Sequence, residues 1–91
     1  MKYEIQRTSQ FKKDFKMALK RNCDIKKLKN IITLLANGET LPEACCDHPL
    51  KGDYNGYREC HVEPDWLLVY KITESVLILT LYRTGSHSDL F

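Results

Sequence analysis

Three apolar, strand-like runs, Tyr57–Glu63, Trp66–Ile72 and Val76–Thr84, follow one another with only Pro64-Asp65 and Thr73-Glu74-Ser75 between them. Joins of two or three residues can reverse an extended chain. They cannot bring it back parallel, which takes a crossover of a dozen residues or more. The C-terminal half is therefore an antiparallel meander. Such a sheet needs a second layer to cover an apolar face, and the rest of the 91-residue chain has to supply it.

The N-terminal half has the right pattern. KYEIQR (2–7) alternates as a short strand, with Tyr3 and Ile5 on one face. Thr8 or Ser9 can cap a helix over about 9–21, in which Phe11, Phe15 and Leu19, with Ala18 beside them, form the apolar face and Lys12, Lys16 and Lys20 a parallel basic stripe. Asn22-Cys23-Asp24 interrupts it, and Asp24 caps a second helix. Its stripe is Ile25, Leu28, Ile31, Ile32 and Leu35, with Lys26, Lys27 and Lys29 mostly facing away, and Asn37-Gly38 ends it. Residues 39–57, with Pro42, Pro49, Gly52 and Gly56, form a long loop of the kind that often carries function. The order β-α-α-loop-β-β-β predicts one α+β domain over 1–91, with the helical hairpin packed on one face of the sheet.

Composition removes several function classes. A hydrophobic fraction of 43% with 29% charged residues is ordinary for a folded domain. The longest apolar stretches, Trp66–Tyr70 and Val76–Leu81, fall far short of the roughly 20 residues that span a bilayer. No secretion signal follows Met1, so a cytoplasmic protein with reduced thiols is expected. Of Cys23, Cys45, Cys46 and Cys60, the adjacent pair would close almost no loop, and there is no CxxC. A mixed zinc site from Cys45, Cys46, His48, Cys60 and His61 is the metal-binding alternative. Charge is uneven: residues 1–38 hold ten Lys and Arg against three Asp and Glu, a net +7, and residues 39–91 hold four against nine, a net −5. A basic half of this kind suits a polyanion or an acidic partner.

No phosphate-binding glycine loop, GxSxG elbow, HExxH or EF-hand loop is present. All three histidines lie near turns or strand ends: His48 in DHPLKG, His61 in HVEPDW and His87 in RTGSHSDLF. Each candidate has a plain structural role available. Asp65 can cap its turn, Arg83 can pair with Glu63 or Asp65, and Phe91 can be a frayed end or a core plug. In a three-strand meander, however, the end of the first strand, its turn and the end of the third strand come close together. That brings His61, Asp65, Arg83 and His87 within reach of one another. Two histidines and a carboxylate supply an acid and a base near neutral pH. Arginine supplies a fixed cation for a phosphate, and an aromatic ring a platform for a base. These are the parts needed to cleave RNA with its own 2′-hydroxyl as nucleophile, without a metal.

In DHPLKG (47–52), GYRECHVEPDWLLVYK (56–71) and RTGSHSDLF (83–91), in that order and spacing, the chain resembles the RelE superfamily of toxins from bacterial toxin–antitoxin modules, and within it the YafQ-type mRNA interferases. The resemblance covers essentially the whole chain. It implies a RelE-like fold and a ribosome-dependent endoribonuclease that cuts mRNA in the A site, with no cofactor. The family's site positions match His48, His61, Asp65, Arg83, His87 and Phe91. On this basis His87 is the general acid and Asp65 or His61 the base. Arg83 lies on the scissile phosphate, Phe91 stacks on a base, His48 binds or shuttles a proton, and Trp66 belongs to the core. The resemblance also implies a cognate antitoxin, whose DNA-binding domain would provide the only link to operator DNA. The basic stripe of Lys12, Lys16 and Lys20 would meet ribosomal RNA, mRNA or an acidic antitoxin segment. The non-enzymatic alternative is a toxin-like module kept for partner binding and operator co-repression. If the C-terminal tail only completes the site, its last five residues should matter far more for activity than for stability.

Overall fold

Thr8 ties the first strand, the first helix and the last strand together. In the computed structural model, which describes residues 1–91, its Oγ1 accepts from the Phe11 N–H at 3.0 Å and donates to the Tyr82 carbonyl at 2.7 Å, while its own N–H reaches the Leu81 carbonyl at 3.1 Å. Strand β1 (Glu4–Arg7) thus turns directly into helix α1 (Ser9–Lys20). Helix α2 (Ile25–Ala36) follows, its N-terminus capped by the Asp24 side chain on Lys26 N. Next come β2 (His48–Pro49), β3 (Arg58–Glu63), β4 (Trp66–Thr73), β5 (Ile78–Gly85) and a last turn of helix, α3 (His87–Leu90). The meander β3–β4–β5 is antiparallel as expected, and β1 lies parallel against β5, giving the sheet order β1-β5-β4-β3-β2.

Four local expectations are corrected. The sheet has five strands rather than four, because His48 and Pro49 pair with Glu59 and Arg58 inside the segment expected to be loop. The last strand begins at Ile78, not Val76. Leu77 has φ 52° in the preceding turn, and Val76 and Leu77 are exposed. Leu19 is also exposed, at 51%. Helix α1 buries Phe11 and Ala18 with Phe15 partly covered, and a residue adjacent to Ala18 is rotated about 100° off that face. The polar tail, finally, folds as α3.

The main core lies between the helices and one sheet face, where Phe11, Leu28 and Leu35 meet Leu68, Tyr70 and Leu79. Trp66 belongs to it, as expected, and donates its Nε1–H to Thr84 Oγ1 at 2.9 Å. The opposite face is not bare. Leu67, Val69 and Leu90 are buried there, with Leu50, Tyr57 and Tyr82 around them. Strand β4 is therefore covered on both sides and is buried without a break from Trp66 to Tyr70. Beyond the end of β1, the free edge of β5 is closed by a side chain instead of a strand: Asp14 of α1 accepts from the Thr84 N–H at 3.2 Å.

Candidate active site

The turn Pro64-Asp65 joins β3 to β4, and α3 starts where β5 ends, so the two features meet at one end of the sheet. Helix α3 starts with a capping box. Ser86 Oγ accepts from Asp89 N–H at 3.2 Å, and Asp89 Oδ2 accepts from Ser86 N–H at 3.0 Å. Gly85 makes room for this, since a Cβ there would stand 3.0 Å from the Asp89 side chain. The same Asp89 carboxylate takes the Arg21 guanidinium at 2.7 Å, which pins α3 to the end of α1.

His87 is held by Asp65 in two ways. Asp65 Oδ1 accepts from the His87 backbone N–H at 3.2 Å and lies 3.2 Å from the ring Nδ1. The backbone N–H first, and then the ring, hold the Asp65 carboxyl below its usual pKa. The His61 Nδ1 faces the Pro64 carbonyl at 3.2 Å, and the His61 and His87 ring centroids are 5.9 Å apart. Each Nδ1 therefore faces an acceptor and carries its proton, so each ring presents Nε2 outward. Two neighbouring imidazoles, tilted 51° to one another and one of them backed by the Asp65 carboxylate, can serve as a base and an acid on the same substrate.

The other expected residues have partners of their own and make no side-chain hydrogen bond to either ring. His48 is held separately, with Nδ1 on the Cys46 carbonyl at 2.7 Å and Nε2 3.6 Å from Glu59 Oε1. Glu59 is buried at 6% exposure and shares a sheet face with His61, two residues along β3. The loop before His48 is fixed by Asp47, which accepts from the Tyr70 hydroxyl at 2.6 Å and from Arg58 Nε at 3.3 Å. Arg83 pairs with neither Glu63 nor Asp65. It makes a two-pronged pair with Asp14, Nε and Nη2 each at 3.1 Å, which raises its pKa further. It still faces, with Asp65, a cavity of about 410 Å³ between α1 and α3. Phe91 is exposed, its ring edge-on to Tyr54 with centroids 5.5 Å apart.

Of the helix lysines, Lys13 borders this cavity. Lys12 and Lys16 flank a separate groove beside Arg7, Phe11 and Phe15, and Lys20 is exposed on the helix surface. Asp14, Glu59 and Tyr54 were missed by the sequence. Only Glu59 left a signal, since it alternates with His61. The mixed Cys/His zinc site does not assemble: no three potential ligands converge, and Cys60 is buried on the helix side of β3 while Glu59 and His61 take the other side.

The Arg21 pair and the capping box together lower the Asp89 pKa from 3.8 to about 2. A carboxylate with a depressed folded-state pKa adds stability above its unfolded value, and that stability is lost as pH falls through the folded one. The contribution of Asp89 should thus be complete above pH 4 and disappear between pH 4 and 2. Asp89→Asn should flatten the melting-temperature profile over that window. A profile as steep as that of the wild type would remove Asp89 from the acid response.

No helix is long and apolar enough to cross a membrane. Residues 3–91 match the family model described as the bacterial toxin of type II toxin–antitoxin systems, YafQ. The mRNA interferase toxin YafQ of Escherichia coli K12 is 48% identical over 89 residues, covering 97% of this chain and 95% of the relative. The crystal structure of YafQ from Escherichia coli BL21(DE3) superposes with a TM-score of 0.92 at 47% identity, covering 98% of each chain. The toxin in the Escherichia coli DinJ–YafQ complex superposes at 0.90 with 48% identity, again over 98% of each chain. On sequence over nearly its whole length, and on fold, the chain belongs to the YafQ family of toxins of bacterial type II toxin–antitoxin systems.

Proposed function

We infer that this toxin is an mRNA interferase that cuts mRNA on the ribosome by metal-free acid–base chemistry and is neutralised by a cognate antitoxin. The observation that carries the chemistry is the pair of rings, His61 and His87, each with Nδ1 on an acceptor and their centroids 5.9 Å apart. His61 Nε2 takes the proton from a ribose 2′-hydroxyl. The 2′-oxygen attacks the adjacent phosphorus and the bond to the 5′-oxygen breaks. The leaving oxygen takes its proton from His87 Nε2, which leaves a 2′,3′-cyclic phosphate and a free 5′-hydroxyl. His87 is the acid because Asp65 Oδ1 holds both its backbone N–H and its ring Nδ1, leaving Nε2 free to hand a proton to the leaving oxygen. Asp65 is the poorer base, since its lone pairs are engaged with His87 and its pKa is held low. Arg83, braced by Asp14, is the fixed cation for the phosphate. His48, on the neighbouring strand, contacts the substrate or relays protons.

Relatives of the same fold are named mRNA interferase toxins, and one has been solved with the antitoxin DinJ. An acidic antitoxin segment would complement the lysine-rich helices, and so would ribosomal RNA, by sequence-blind phosphate contacts. Purified protein added to a reconstituted translation reaction should cut a reporter mRNA only when ribosomes are present, leaving 2′,3′-cyclic phosphate ends. An intact transcript, under conditions where the Escherichia coli relative cuts, would leave the non-enzymatic binding module as the better account.

A further inference from the structure

Tyr54 stands in the turn Gly52–Tyr54 between β2 and β3 and belongs to neither apolar cluster. Its ring meets Phe91 at 5.5 Å and 80°, and Tyr82 at 6.2 Å and 64°. Behind it, Tyr57 and Tyr82, 4.7 Å apart, pack on Leu67, Val69 and Leu90, so covering the sheet explains them. It does not explain the outer two rings. Phe91 is 59% exposed and Tyr54 only half-buried. Two near-perpendicular rings at the surface make two walls of an aromatic notch.

The position of the notch is informative. Phe91 follows His87 by one helical turn, its N–H on the His87 carbonyl at 2.9 Å. A cation flanks the aromatic group: Lys71 Nζ lies 5.5 Å from the Tyr57 ring centre. Aromatic faces with cations at the rim are how proteins hold single-stranded RNA, with bases on the rings and phosphates on the charges. A peptide segment could use the same rings. The adjoining His87 favours RNA, because a strand cut there must place a neighbouring base close by.

We propose that Tyr54, together with Phe91, forms a stacking subsite for the mRNA base next to the scissile bond. The proposal rests on the endoribonuclease function above and adds a substrate-contacting residue to it. Tyr54 gains a ring face for the base, and its hydroxyl is dispensable.

The test pairs a protein change with an RNA change. Tyr54→Leu, Tyr54→Phe and the wild type would each be assayed on ribosomes carrying a short synthetic mRNA. The nucleotide flanking the cut would be either intact or abasic with its ribose retained. On the intact strand, Tyr54→Leu should cut about 10-fold more slowly, as expected for one lost stacked base, and Tyr54→Phe should cut at close to the wild-type rate. On the abasic strand the three proteins should differ by less than about 2-fold, since no base remains to stack. Equal loss on both strands would mean that Tyr54 merely supports the fold, and would overturn the proposal. So would a Tyr54→Leu protein that cuts the intact strand at full speed, including one whose only defect is weaker antitoxin binding. A wild type that cuts neither strand is a different result, because it removes the endoribonuclease function itself.

Discussion

His87→Gln should lower ribosome-dependent cleavage by about 10²–10⁴-fold, the range expected for losing a positioned proton donor, and should leave the melting temperature close to that of the wild type. The two effects separate because the ring is exposed while its backbone is engaged. The His87 side chain is 56% exposed and covers no part of the apolar core. What starts α3 is the Ser86–Asp89 capping box, and the His87 main-chain N–H bond to Asp65 persists with any side chain at that position. Exposed substitutions away from caps and cores usually move stability by no more than about 0.5 kcal/mol. Glutamine can still donate towards Asp65, but it cannot give up a proton near neutral pH. Single-turnover cleavage on ribosomes, read beside a thermal melt, checks both halves. A His87→Gln protein within a few-fold of the wild-type rate would move the acid elsewhere, and His48 would be the next histidine to test.

Elements governed by short-range rules were legible in the sequence. The joins at Pro64-Asp65 and Thr73–Ser75 specify the meander, and the Asp24 cap and Asn37-Gly38 stop delimit α2 almost to the residue. His61, Asp65 and His87 could be grouped for the same reason, since all three lie at one end of that meander. What escaped depends on contacts between segments far apart in the chain. Asp14 and Arg83 are 69 residues apart, and nothing local in either marks them as partners. Strand β2 has two residues, one of them a proline, too little for a periodicity, and exists only because β3 offers an edge beside it. Tyr54 looked like loop because it stands between Asp53 and Asn55, with Gly52 and Gly56 just beyond. Its role follows from where Tyr82 and Phe91 fold. The alternation of β4 cannot reveal which side is the core, because both faces are covered.

A chain ending at Ser86 should lose stability as well as activity, because the five residues removed hold a core leucine beside the proposed acid. The sequence predicts that losing these residues harms activity far more than stability, and the burial of Leu90 raises the stability share. Leu90 is 6% exposed and forms, with Leu67 and Val69, the cluster that seals the second face of the sheet. Removing a buried leucine gives up roughly 1.5–3 kcal/mol of transfer free energy. The partly exposed Arg21–Asp89 pair is lost with it and adds little. A loss of roughly 1.5–3 kcal/mol is a large fraction of what a domain of this size holds, and should lower the melting temperature by about 6–24 °C. Point variants divide the two contributions. Leu90→Ala should reproduce most of the thermal loss, while Phe91→Ala, with its ring largely in solvent, should melt close to the wild type yet cut more slowly. If the truncated chain melts at the wild-type temperature, Leu90 does not anchor α3. His87 would then be presented by the Asp65 and Arg21 contacts alone, and Asp89→Asn, rather than Leu90→Ala, should be the variant that releases it.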